Sequence, residues 1–574
     1  MSEEQPPAKT GSSRREFLVQ SSALALWGPL VGATLTAFPA WAKKQAKNSD
    51  VISSTDVSSL PLRRMTFGPR PQDFADFAKL GRTPAQQIQK YLEKQLHPQQ
   101  IPDPVLEAKL TAAKLTTLQK TYSNLWKEHV LAADQIREAQ KAPAVPGTSP
   151  MTMVSENQLR LQPLNELEQA TWLRMVYSER QLQEVMTHFW HNHFNVYAWE
   201  PQIAPLFVQL DQDVIRPQVF GNFRMLLEGV AKSPAMLTYL DNFLNQSGNP
   251  NENYARELFE LHTLGAENYL GTESRERVPG FGHGQPVGYV DGDVYEAARC
   301  FTGWKIDSGA KSTNTGEFIY FEPWHDRFQK IVLGRHLKEY QGPLRDGHDV
   351  LDILADHPGT ARFVTRKLCR RLMCDNPPEA FVKKIADVFH QQRKAPDQLA
   401  QVIRAILLSP EFAHNTQPKI KRPIEFTAGL LRSAGIDFYP SDPFLRNFEK
   451  MGQRLFQWRT PDGYPDQVQK ILGANSVLER WRIVDLILVN GVEGSQWNEG
   501  DFLRRHGVEL EASSASDLLL HFQQLNTKVF GQSLNVTTLQ EVSEFLASAK
   551  TQKLPKAVSA SLALLWMSPE AQWS

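Results

Sequence analysis

The sequence predicts an all-α protein, a single large multi-helix domain with at most one small β-hairpin near residues 318–333. Three observations predict it. Apolar residues recur every three to four positions through most of the chain, the period of a helix with one buried face. Cap and start signals stand ahead of such segments, as in Thr83-Pro84 and Asn249-Pro250. Strands and helices do not alternate and no fixed-period repeat is visible, so neither a doubly wound sheet nor a solenoid is expected.

Taken in order, residues 50–60 are a polar lead-in. Helices are predicted over 71–80 and 83–96, the second capped by Thr83. A long Ala/Leu-rich helical stretch covers 105–140. Residues 141–155 hold three prolines, Gly147 and several Ser and Thr, which makes them a loop. Helical spacing returns over 164–194, 219–240 and 250–264. A Gly-rich insertion runs from 271 to 292, and 293–301 is helical. Residues 318–321 and 330–333 are the only good strand candidates and are expected to pair as a hairpin. The remainder reads as helices at 360–373, 379–392, 396–407, 423–434, 476–489, 515–522, 538–548 and 555–565.

The chain has 574 residues, 41% hydrophobic and 22% charged, an ordinary globular balance. Lys+Arg and Asp+Glu are both 63, so no basic field points to nucleic acid or an anionic membrane. The N-terminus carries an address. Ser13-Arg14-Arg15-Glu16-Phe17-Leu18 precedes an apolar stretch over 23–38 that ends in Ala40-Trp41-Ala42. This order of charged, apolar and small-residue regions is a signal peptide, and the Arg pair before Phe-Leu resembles the twin-arginine translocation signal. Residues 1–42 are therefore expected to be removed after export by the twin-arginine translocase into a periplasmic or other extracytoplasmic space, leaving 43–56 as a polar lead-in. No later segment approaches about 18 uninterrupted apolar residues, so no membrane span is expected in the mature chain. Of Cys300, Cys369 and Cys374, the last two sit five apart on a predicted helix, where their side chains diverge, so buried thiols are expected. Nucleotide-binding glycine loops, hydrolase elbows and H-E-x-x-H motifs are absent from the sequence.

Four segments carry candidate chemistry. His188, His191 and His193 crowd the end of the 164–194 helix, and neutral imidazoles at that density suit Zn, Fe, Cu or Mn. Charge complementarity with the helix C-terminus explains the same residues structurally. In the 249–262 segment, Asn249 is expected as N-cap and Glu252 as its capping-box partner. Glu257 and Glu260 lie on a stripe beside the buried face, and Arg256 is spaced to reach Glu252 and Glu260. Asp293 with Glu296 reads as a second cap and box. His325-Asp326 follows a predicted strand and could supply a ligand with its orienter, or a general base.

Taken together these segments resemble the bacterial family called domain of unknown function 1800. The matching stretches include Leu62-Arg63-Arg64-Met65-Thr66-Phe67-Gly68-Pro69, Phe189-Trp190-His191-Asn192-His193-Phe194 and Asn251-Glu252-Asn253-Tyr254-Ala255-Arg256-Glu257-Leu258. Phe301-Thr302-Gly303-Trp304, His325-Asp326, Lys421-Arg422-Pro423 and Thr460-Pro461-Asp462-Gly463-Tyr464-Pro465 follow in order. The likeness spans roughly 57–570, with an expanded link at 266–290. It implies a mostly helical exported protein, often encoded beside a second exported family, domain of unknown function 1501, which is a candidate partner. It implies no established reaction. Weighed with the family pattern, His191, His193, Glu257 and His325 are the expected metal ligands, for a divalent Fe, Mn or Zn ion. Asp326 or Glu260 would stand behind them, and Glu257 or Asp326 would move protons. Two other readings stand beside this metalloenzyme: a non-catalytic carbohydrate-binding or partner protein using Trp190, Trp199, Trp304, Trp324 and Trp458, and a purely structural role for the motifs.

Overall fold

A computed structural model describes residues 59–141, 155–309, 312–415, 417–509, 515–530, 536–551 and 556–574. The expected signal peptide and most of the 141–155 loop lie outside these. Helices stand where start signals are strongest. Thr83 caps Pro84–Leu96 by accepting from the Gln86 amide, and His357 caps Pro358–Leu372 through its ring nitrogen. Glu379–Gln391, Gln398–Leu407 and Pro423–Ser433 follow as expected. The architecture is mainly α-helical, a single large domain with three two-stranded ribbons among the described residues.

Long predicted helices are broken at residues that hold non-helical dihedrals. The 105–140 stretch ends its first helix, Pro104–Ala113, at Lys114 with φ 53°, and resumes only at Tyr122. The 164–194 stretch is two helices, Glu156–Tyr177 and Gln181–His193. Ser178 between them is extended, its hydroxyl held 2.6 Å from Asp103. The 219–240 stretch divides into Phe223–Lys232 and Pro234–Tyr239, because Ser233 precedes a proline and leaves the helical region.

Two cap assignments also change. The helix with Glu257 begins at Asn253, not after Asn249, since the Asn245 side chain ties the Asn251 amide to the Ala298 carbonyl and holds the preceding loop open. Glu252 pairs with Arg256 instead of closing a capping box, and the other arm of Arg256 takes Asp291, not Glu260. Asp293 is the third residue of Asp291–Cys300, accepting from Val290 and Leu333 amides, while Glu296 holds Arg299. The expected hairpin does not form. Phe318–Tyr320 pairs with Trp304–Ile306, and Lys330–Val332 pairs with Arg335–Leu337 across the tight turn at Leu333-Gly334. The Gly-rich insertion is tied down by His357 on the Pro286 carbonyl and Arg335 on the Gly284 carbonyl.

The core runs through the Gln181–His193 helix, with Trp190, Phe194, Phe223 and Phe389 in mutual ring contact. Cys300, Cys369 and Cys374 are free and buried. Two π-helical segments, Leu210–Ile215 and Leu258–Thr263, flank this core helix. Such widened turns re-aim side chains and recur at functional sites. One carries Asp211, the other His262 with Glu260.

Candidate functional site

The Gln181–His193 helix splits its three histidines between two environments. His188 and His191 line one cavity with Asn192, Asn195, Phe456 and Trp458. His191 Nε2 lies 2.9 Å from the Asp211 carboxylate, which also takes Arg216 Nε at 2.8 Å. Burial alone would raise the Asp211 carboxyl, but Arg216, then His191 and Arg174, hold it below the usual carboxylate range. The ionised acid fixes the His191 tautomer with its Nε2–H donating. Arg216 closes the chain on Glu184 at 3.0 Å. His188 is driven down to about 3 by burial and by Arg422, which keeps it neutral at physiological pH.

His193 turns the other way. Its Nε2 donates to the His262 main-chain carbonyl at 3.1 Å, and its Nδ1 has no partner among the described residues. His262, fully buried on the π-helical turn, has neither ring nitrogen bonded among them. The two rings are 6.2 Å apart. Burial first and Lys367 second push His193 well below its ordinary value and His262 to about 3. Lys367 itself falls to about 8 through burial, despite Asp466 and Asp462.

Above this pair sits the Trp458–Asp466 loop. Asn192 grips it from both sides, accepting from the Tyr464 amide at 2.7 Å and donating to the Tyr464 carbonyl at 2.9 Å. Asn195 donates to the carbonyls of Trp458 and Thr460. Gly463 has φ 79°, and a β-carbon there would stand 2.1 Å from the Asn192 carbonyl oxygen, so only glycine fits. Within the loop, Thr460 Oγ1 and Trp458 Nε1 donate to Asp462 Oδ1 at 2.6 and 3.1 Å. Tyr239 donates to the Arg459 carbonyl at 2.6 Å. Half-buried Glu257 completes the cluster. Burial, then the charges of Glu260 and Asp462, raise its carboxyl to about 7 against the pull of Arg256.

The structure does not bring the four expected metal ligands together. His191 is engaged with Asp211 and His193 with a carbonyl, while Glu257 feels the like charges of Glu260 and Asp462. His325 lies under the short ribbons, between the Thr302 carbonyl at 2.9 Å and Asp346 at 3.2 Å. Asp326 is clamped by Arg299 at 2.8 and 3.0 Å, which leaves it no free role as a base. No three His, Cys, Asp or Glu side chains among the described residues group as a metal would require. His191 and His193 share one helix but face different surroundings, and His325 stands on a separate element against Asp346.

The sequence reading missed Asp211, His262, Lys367 and Asp346. Asp211 and His262 carry no motif of their own and acquire meaning only through the π-helical turns. Asp462 stood inside a recognised turn motif without an assigned role.

Fold and site define a mainly α-helical protein with a His/carboxylate core, and no described helix is long and apolar enough to cross a membrane. A family model described as "Protein of unknown function (DUF1800)" matches residues 61–573, and the chain belongs to that family. No curated protein and no solved structure matches it.

Proposed function

We propose that the protein is an exported enzyme of the cell envelope that performs acid–base, hydrolytic chemistry at Glu257. The observation that carries this reading is the half-buried Glu257 carboxyl, raised to about 7 beside Glu260 and Asp462. Two acids in unlike settings divide the work: the raised one donates a proton at neutral pH, and the exposed, hydrogen-bonded one stabilises positive charge or activates water. Glu257 is the proton donor in this reading. Asp462, fixed by Thr460 and Trp458, is the second carboxylate. Tyr239 and Lys367 border the same cluster. No metal is needed for these roles. Export is supported by the Arg14-Arg15 signal and its small-residue cleavage site.

The carbohydrate-binding alternative finds little room. Trp190 and Trp304 are fully buried. Arg454 covers the Trp199 ring at 3.8 Å and Lys305 covers Trp324 at 3.9 Å. Of the five tryptophans, Trp458 alone stands beside the acid cluster.

The test is a hydrolysis screen of the purified mature chain on nitrophenyl esters, phosphomonoesters and glycosides from pH 5 to 8. Activity in one class that falls about 100-fold in Glu257→Gln supports the reading. Turnover equal in the wild type and the variant, or none above blank in any class, overturns it. Export is checked separately, by fusing residues 1–60 to a reporter and replacing Arg14 and Arg15 with lysine.

A further inference from the structure

A cleft of about 460 Å³ opens between the Gly-rich insertion, the end of the Arg345–Asp356 helix and the turn at 393–398. The cavity beside His188 and His191, by contrast, has about 70 Å³, space for a few waters. Small-molecule sites run from about 300 to 1,000 Å³, so the larger cleft has room for a ligand. None of its lining residues belongs to the Glu257 cluster.

The floor of the cleft is fixed. Phe223 is 1% exposed there, and the buried Gln398 has both ends of its amide bonded, accepting from the Phe223 amide at 3.0 Å and donating to the Phe389 carbonyl at 2.9 Å. One wall is built around Arg335, whose Nε donates to the Gly284 carbonyl at 3.1 Å. Gly284 has φ 65°, and a β-carbon there would stand 2.5 Å from that nitrogen, so glycine lets the insertion lie flush on the guanidinium. The two terminal nitrogens of Arg335 have no partner among the described residues. A guanidinium held at Nε with both terminal nitrogens open is a two-pronged donor for carboxylate or phosphate oxygens.

Lys394 lines the same cleft, and among the described residues no ion pair engages it. The other two cations are matched: Arg224 Nε meets Asp352 at 2.6 Å, and Arg393 Nε meets Asp356. Asp352 and Asp356 lie one turn apart on their helix, and each uses one carboxylate oxygen in these pairs, which leaves the other to accept. The cleft therefore holds two kinds of recognition group, uncommitted cations and acids with an open oxygen. A polyanion would be repelled by those acids, and a hydrocarbon would leave them without a donor. A body that carries hydroxyls satisfies them.

We propose that this cleft binds an acidic sugar, its carboxylate or phosphate on Arg335 and Lys394 and its hydroxyls donating to Asp352 and Asp356. The site is separate from Glu257 and does not rest on the hydrolytic reading.

The purified mature chain is titrated calorimetrically with glucuronate, glucose-6-phosphate, glucose and inorganic phosphate. Glucuronate or glucose-6-phosphate should bind about 10-fold tighter than glucose, which lacks the anion, and than inorganic phosphate, which lacks the hydroxyls. The tighter of the two identifies the head group. Arg335→Met should lose about 10-fold in affinity for that sugar. Lys394→Met should lose about 3-fold at an unchanged melting temperature, because Lys394 is exposed and holds no other element. Should Arg335→Met loosen the insertion, Lys394→Met is the deciding variant. Glucose bound as tightly as both acidic sugars overturns the proposal, and so does inorganic phosphate bound as tightly as glucose-6-phosphate, or heat from neither acidic sugar. Folded Arg335→Met and Lys394→Met chains that bind as the wild type does would place the sugar elsewhere and overturn it as well.

Discussion

Two groups of charged motif residues in this protein are built in opposite ways. Beneath the short ribbons, Glu296, Arg299, Asp326, Lys330, Asp346 and His325 form a closed circuit. Lys330 is 1% exposed and donates to Asp346 at 2.6 Å and to the carbonyls of Asp326 and Phe328. Gln341 takes the remaining Asp346 oxygen at 2.6 Å. Every charge faces an opposite one, and little is left to bind anything else. Around the Trp458–Asp466 loop the reverse holds. Carboxylate stands beside carboxylate, two buried imidazoles keep unpartnered nitrogens, and the pKa values of Glu257 and Lys367 are drawn toward neutrality. Balanced networks fix a fold, whereas unbalanced ones hold free energy that a substrate or proton can release. By that criterion His325-Asp326 is architecture and Glu257 is the candidate for chemistry.

The contrast can be broken most severely at Lys330. Lys330→Met removes the cation from the closed circuit and strands Asp346, so unfolding free energy should fall by about 3–5 kcal/mol in a denaturant titration. A loss under about 1 kcal/mol would mean that the circuit is not structural.

His262 sharpens the other side. Its ring is held far below its unfolded value, so it contributes stability that is present above pH 6.5 and lost as pH falls toward 3, where the unfolded chain takes up the proton first. His262→Gln should flatten the acid limb of a stability–pH curve by about 1 kcal/mol per pH unit in that window. An unchanged slope would show that the ring is not held neutral.

Glu257 gives the smaller effect with the opposite sign. Its folded value is raised to about 7, so its contribution is full below the unfolded value and is lost as pH rises through 7. Glu257→Gln should therefore be relatively more stable at pH 8 than at pH 5, by about 1 kcal/mol after allowance for solvent screening of a half-exposed group. If the variant merely tracks the wild type across that range, Glu257 is not perturbed and the hydrolytic reading loses its support.

An effect of similar size tests the loop that closes the site. Asn195→Ala removes two hydrogen bonds to the Trp458 and Thr460 carbonyls, so global stability should fall by about 1–2 kcal/mol. Amide exchange should accelerate across 458–464 while the 325–346 circuit stays protected.

The sequence by itself determined the helical class, the position of most helices after residue 357, the glycine in the Asp462-Gly463 turn and the family. These follow from local rules: apolar period, proline and cap chemistry, and the steric freedom that a positive φ demands. It also singled out Glu257 as chemically interesting. Only the tertiary structure decided which partners each polar group finds. His191 meets Asp211 twenty residues on, His325 meets Asp346 across a ribbon, and Glu257 meets a loop two hundred residues away. Spacing along a chain reports which side chains share a face of one element, within about a turn. Electrostatic environment is set by what other elements place within a few ångströms, and that depends on packing that no single segment encodes.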